Sequence, residues 1–198
     1  MNITLATHHK FIAHLERLVR EKNRGALATL RRGLGKPPGT AREMDRYVLC
    51  DLPADVTEAQ ENAYYLVGVL FAYWHQGKDN LAKDTPANLG ESLRLLVNRE
   101  SAETGNREDA EKRVEKRLVA LLNCHKDDLP DHLRHTIGLL KSKEIPVDWT
   151  QLLYDVQNWQ HESREVQRNW ARKFWRGNAR ETGPEENQSQ NEEDKEEE

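Results

Sequence analysis

Ala63-Tyr64-Tyr65-Leu66-Val67-Gly68-Val69-Leu70-Phe71-Ala72-Tyr73-Trp74 is a run of twelve uncharged residues in a chain that is 32% charged. A bilayer-spanning helix needs about 20 apolar residues, so a run this short reads as a buried helix, apolar on every side because protein surrounds it. Its start is marked by Thr57-Glu58-Ala59-Gln60, a capping box in which the Thr57 hydroxyl and the Gln60 amide satisfy free backbone N–H groups. Its stop is marked by Gly77, which takes the left-handed conformation at little cost. The helix is predicted over residues 58–76, and the rest of the chain must supply apolar stripes to cover it.

Those stripes recur on both sides. Phe11, Ile12, Leu15, Leu18 and Val19 fall at helical spacing from Thr7 to about Lys22, with a basic opposite face and a break at Asn23 to Gly25. Ala26, Leu27, Ala28 and Leu30 form a second short helix that delivers Arg31 and Arg32 into the loop from Gly33 to Thr40, too rich in Gly and Pro to stay helical. Met44, Tyr47, Val48 and Leu49 are expected to tuck back onto the core. Beyond the central helix, Asn88 to Glu91 cap a helix with Leu89, Leu93, Leu96 and Val97 inward and Arg94 and Arg99 outward. Glu100–Asn106 reads as a polar loop. Asn106 then opens a helix carrying Ala110, Val114, Leu118, Leu121 and Leu122, with a mixed-charge outer face. Asp128 and Pro130 open the next (Leu129, Leu133, Ile137, Leu140), which Pro146 prevents from continuing. Asp148 to Gln151 caps a helix with Leu152, Leu153, Val156 and Trp159. Ser163 starts the last, with Val166, Trp170 and Phe174 four apart. The expectation is an all-α fold: one compact bundle of about eight helices over residues 1–177, without internal repeats, and a disordered acidic tail over 178–198.

Composition narrows the chemistry. Gly183–Glu198 holds eight acids against Lys195, a charge of −7; taken from the chain's −4, this leaves +3 on residues 1–182. Residues 1–46 alone carry +6, from ten Lys and Arg against four acids. Such a basic region suits phosphate backbones, which Lys and Arg neutralise without reading a base. The first residues lack the apolar core of a secretion signal, so the cytoplasm is the expected location. Two cysteines, Cys50 and Cys124, are too few for a disulfide framework; they are expected to be reduced and to behave as small buried hydrophobes. Gly33 to Thr40 lacks the Gly-Lys-Ser/Thr of a nucleotide loop, because Lys36 precedes Pro37. Cys124, His125, His132 and His135 lack zinc-ligand spacing. With no carboxylate–histidine cluster, no Gly-x-Ser-x-Gly and no HExxH, nothing supports catalysis, and no metal or cofactor is expected.

Four segments in order resemble one family: Leu30-Arg31-Arg32-Gly33-Leu34-Gly35-Lys36-Pro37-Pro38-Gly39, Asn88-Leu89-Gly90-Glu91-Ser92-Leu93-Arg94, Leu139-Leu140-Lys141-Ser142-Lys143 and, most specific, Val166-Gln167-Arg168-Asn169-Trp170-Ala171-Arg172-Lys173-Phe174-Trp175. Across roughly Phe11 to Gly177 the chain is similar to the CasB family, the small subunit of the type I-E CRISPR surveillance complex Cascade. The resemblance implies an all-helical, non-enzymatic protein present in two copies, contacting the backbone subunits, the large subunit, guide RNA and target DNA, and stabilising the opened target. The acidic tail is outside the family pattern.

The candidate nucleic-acid contacts are therefore Arg24, Arg31, Arg32, Lys36, Arg42, Arg94, Arg99, Arg134, Lys141, Lys143, Arg168 and Arg172. Arg113 and Arg117 alternate with Glu115 and read as helix-surface pairs. Tyr64, Tyr65, Trp74, Trp170 and Phe174 lie in apolar stripes and read as core, whereas Trp149 and Trp175, near helix ends, are candidates for a partner interface. The rival reading is a helical adaptor with protein partners only, its basic face serving solubility.

Overall fold

The computed structural model describes residues 5–37, 40–50, 52–82 and 84–179. The tail expected to be disordered lies outside the described residues apart from the end of the last helix. Nine α-helices and one 3-10 turn, Arg42–Met44, make up the described fold: α1 Leu5–Arg20, α2 Arg24–Arg31, α3 Asp45–Val48, α4 Glu58–Trp74, α5 Leu89–Thr104, α6 Arg107–Asn123, α7 Leu129–Ser142, α8 Trp149–Gln157 and α9 Glu165–Ala179. No strand occurs among the described residues. The all-α reading holds, and the helix beyond the expected eight is the four-residue α3.

The caps explain most boundaries. Thr57 and Gln60 form the predicted reciprocal capping box at the start of α4, and Gly77 takes the left-handed stop (φ 80°) after its end. Asn23, Asn88, Asn106 and Asp148 each accept from a backbone N–H three residues on, opening α2, α5, α6 and α8. At α7 the Asp128 side chain makes no capping bond, and Pro130 in the first turn supplies the start. Three expectations need correction. The loop expected over Glu100–Asn106 shrinks to Gly105 and Asn106: α5 continues to Thr104 because no breaker precedes Gly105, and its polar last turn is held by Glu100 to Arg113 of α6 and Glu103 to Lys143 beyond α7. Leu49 does not tuck in; it is 37% exposed, whereas Met44 and Val48 are buried. Cys50 is exposed rather than core.

Packing around α4 follows from its apolar surface. Phe11 of α1 meets Tyr64 edge-on at 5.0 Å, and Phe71 meets Trp149 of α8 at 5.4 Å. α2 and α7 cover other sides. The enclosure is incomplete, contrary to the reading of protein on every side. Leu66 and Tyr73 are only partly buried, and Leu66 lines an open cavity.

A second centre is α5, packed between α6 and α9. Gly90 permits its crossing with α9, since a Cβ there would lie 2.0 Å from the backbone oxygen of Trp170. The two centres are tied through the segment before α8. Trp74 Nε1 of α4 donates to the Ile145 carbonyl at 3.1 Å, and Ser92 Oγ of α5 donates to the adjacent Pro146 carbonyl at 3.0 Å. Both contacts satisfy polar groups away from bulk water, so they fix the relative placement of the two helices.

Candidate nucleic-acid interface

Three cations from three elements meet near the end of α4. Lys141, in the last turn of α7, lies over the Tyr73 ring with its Nζ 4.4 Å from the centroid and donates to Gln76 Oε1 at 3.1 Å. Lys78, just past the Gly77 stop, lies over the Trp74 ring at 3.9 Å. Arg31 comes from the end of α2. Burial first, then the charges of Arg31 and Lys78, push the pKa of Lys141 below the usual lysine range. Lys78 has a carboxylate at 3.6 Å, that of the largely exposed Glu144, while Arg31 and Lys141 have none within 4.0 Å among the described residues. Like charge gathered here against a single, largely exposed carboxylate is the arrangement a polyanion relieves.

From the end of α2 the chain runs into a loop bordering a cavity of about 480 Å³, with Leu66, Ala63 and Val69 of α4 on its floor and Lys36, Lys126 and Arg134 among its polar lining. A Cβ at Gly35 would stand 3.5 Å from a guanidinium nitrogen of Arg134. Arg134 has Asp131 at 3.8 Å, too far for a hydrogen bond, and its Nε is buried without a partner.

The twelve candidate cations divide by their neighbours. Arg24 faces Asp79 at 3.8 Å, Arg94 faces Glu91 at 3.5 Å, Arg134 faces Asp131, and Lys143 is paired with Glu103. Arg31, Arg32, Lys36, Arg42, Arg99, Lys141, Arg168 and Arg172 have no carboxylate partner among the described residues, and these are the positions a phosphate could occupy without displacing an acid. Arg168 and Arg172 are exposed on α9, where Arg172 donates to Asn169 Oδ1 at 2.9 Å. They belong to the α5–α9 half, whereas Arg31 and Lys141 belong to the α4 half. Arg113 pairs with Glu100 of α5 at 3.0 Å, across helices rather than along its own, because Glu115, two residues on, points to another face of α6, where it accepts from Trp175 Nε1 at 3.3 Å.

Of the aromatic candidates, Tyr64, Tyr65, Trp74, Trp170 and Phe174 are core, as expected. Trp149 is core as well, which removes it as a surface contact, and Trp175 stays 39% exposed. Sequence reasoning missed Lys78. It follows a helix stop with no periodic context, and only the packing of α2, α4 and α7 gives it neighbours. No group of three or more His, Cys, Asp or Glu residues suited to a metal occurs among the described residues. No helix among them is long and apolar enough to cross a membrane.

Residues 26–175 match the family described as CRISPR-associated protein Cse2. A CRISPR-associated protein Cse2 from Thermus thermophilus is 30% identical over 174 residues, 87% of this chain and 92% of that one. The crystal structure of a Cse2-family protein from the same organism superposes with a TM-score of 0.67 at 28% identity, covering 85% of this chain and 97% of that one. A chain of a CRISPR RNA-guided surveillance complex superposes with a TM-score of 0.72 at 26% identity, covering 90% of this chain and 99% of that one.

Proposed function

The chain belongs to the CRISPR-associated Cse2 family, and on that premise we propose that it is the non-catalytic small subunit of a type I-E CRISPR RNA-guided surveillance complex in the cytoplasm. In this reading it sits beside the large and backbone subunits and a second copy of itself. It holds guide RNA and target DNA by their phosphates and so stabilises the opened target. The observation that carries the reading is the gathering of three cations at the end of α4: Lys141 on the Tyr73 face, Lys78 on the Trp74 face and Arg31 close enough to help burial and Lys78 push down the pKa of Lys141. Folding brings like charges together here at a cost, and a bound phosphate offsets that cost.

Neutralisation of phosphates makes binding fall linearly in log salt, with a slope of about 0.7 per contact on single strands and about 0.9 on duplex. Arg31→Ala with Lys141→Ala in the full chain is therefore expected to weaken binding to unrelated sequences alike and to lower the slope by about 1.4 to 1.8. An unchanged slope and affinity would remove these residues from the interface. Absence of any salt-dependent binding by the unaltered chain, with cosedimentation with the other subunits retained, would establish the protein-only adaptor instead.

A further inference from the structure

We propose that Trp175 is a base-stacking platform for single-stranded nucleic acid, placed at the end of a cationic track formed by Arg168 and Arg172 on the solvent face of α9. The proposal deepens the nucleic-acid reading above and rests on it.

The chain has five tryptophans, and four are enclosed: Trp74 is 5% exposed, Trp149 7%, Trp159 3% and Trp170 0%. Trp175 is 39% exposed. The indole is nevertheless held. Its Nε1 donates to Glu115 Oε1 of α6 at 3.3 Å, and the Phe174 ring meets it edge-on, 5.6 Å between centroids at 88°. One turn beyond Glu115 on α6, Val119 is 40% exposed and adds apolar surface to this end of the molecule. A fixed, half-exposed indole keeps apolar ring surface in water, which a planar apolar ligand would remove.

The charge around it selects the ligand. Arg168, Arg172 and Trp175 are spaced four and three apart on one helix, so they share a stripe about 10 Å long at 1.5 Å per residue. Both arginines are exposed without a carboxylate partner among the described residues, and the bond to Asn169 aims the Arg172 guanidinium. Two guanidiniums without a carboxylate partner, followed by an open ring, match a strand that offers phosphates and then an unstacked base, the combination by which proteins hold single strands without reading sequence. A protein surface docking there would have to bring its own acids to both arginines. A duplex keeps its bases stacked internally and offers the ring nothing.

Because Trp175 alone among the tryptophans is exposed, quenching of intrinsic fluorescence reports on it. The experiment titrates the full chain with a fluorescently labelled oligo-dT strand, an abasic strand of equal length and a duplex, following anisotropy and tryptophan emission. Stacking predicts saturable quenching by oligo-dT only. It also predicts that Trp175→Ala and Trp175→Leu each weaken oligo-dT binding about fivefold to a hundredfold while leaving abasic-strand binding and the salt slope unchanged. The Leu variant keeps a large apolar side chain at the position, so agreement between the two variants separates lost stacking from lost folding. Binding of oligo-dT without quenching, and with no effect of either variant, would overturn the stacking while leaving the phosphate-binding reading intact. Absence of binding to every probe would overturn both. A Trp175→Ala chain with normal strand affinity that no longer cosediments with the other subunits would assign the ring to a protein contact and overturn the proposal.

Discussion

The indole N–H of Trp170 donates to the carboxylate of Asp155 at 2.6 Å, with both residues buried, and so ties α9 to α8. Gln151 Nε2 donates to the other Asp155 oxygen at 2.8 Å. Asp155→Ala leaves the Trp170 N–H unpaired and is expected to cost about 1–3 kcal/mol. Chemical unfolding of the variant against the unaltered chain measures this, and a loss near zero would mean that the pair is dispensable.

Burial raises the Asp155 carboxyl to about 6 against the hydrogen bonds from Trp170 and Gln151, with Asp148 adding to the rise. Burial lowers His75 to about 4, opposed by its bond to the Phe71 carbonyl and assisted by Lys78. The signs are opposite. Between pH 4 and 6 the folded state binds more protons at Asp155, so that group favours folding as pH falls; it binds fewer at His75, so that group disfavours it. Asp155→Asn is therefore expected to become more acid-sensitive than the unaltered chain, and His75→Gln less so. Melting temperatures across pH 4 to 7 test this, and parallel curves for the three proteins would contradict it.

Gly90→Ala places a methyl group 2.0 Å from the Trp170 carbonyl oxygen, a backbone atom that cannot swing aside. The expected loss is about 1–3 kcal/mol or more, because α5 and α9 must separate. Gly25→Ala in the first turn of α2 meets nothing closer than Asn23 Oδ1 at 3.8 Å and is expected to stabilise by about 0.4–1 kcal/mol. Urea midpoints moving in the same direction for both would refute the close-approach argument.

Leu70 is fully enclosed in α4. Leu70→Ala is expected to cost about 2–5 kcal/mol through the cavity it leaves. Leu70→Asp adds a charge with no partner and is expected to abolish the cooperative thermal transition. A soluble, cooperatively melting Leu70→Asp protein would show that the core lies elsewhere.

Gly183–Glu198 carries −7, so its deletion takes the chain from −4 to +3. Long-range attraction to phosphate is expected to rise, with tighter strand binding at low salt and a gain that shrinks as the screening length falls to about 8 Å at physiological ionic strength. A synthetic peptide of those sixteen residues, titrated into the shortened chain at that ionic strength, distinguishes general repulsion from competition: only competition gives saturable displacement of the strand. No gain at low salt would show that the tail charge does not act on the binding face.

The helices and most of their ends are legible in the chain without any structure, because 3.6-residue periodicity and caps such as Thr57 with Gln60 act within a few residues of each other. That legibility failed at Glu100–Thr104, where polarity resembled a loop although no residue there breaks a helix before Gly105. It identified which side chains are cationic but not which are free. The Glu91–Arg94 pair is local and can be read from spacing, whereas Asp79 beside Arg24 and Glu103 beside Lys143 join residues far apart in the chain. Packing between helices set the meeting of Arg31, Lys78 and Lys141, the cavity beside Leu66 and the contrast of buried Trp170 with exposed Trp175. Charge compensation and exposure depend on how helices cross, and side-chain spacing along one helix carries no record of what packs against it.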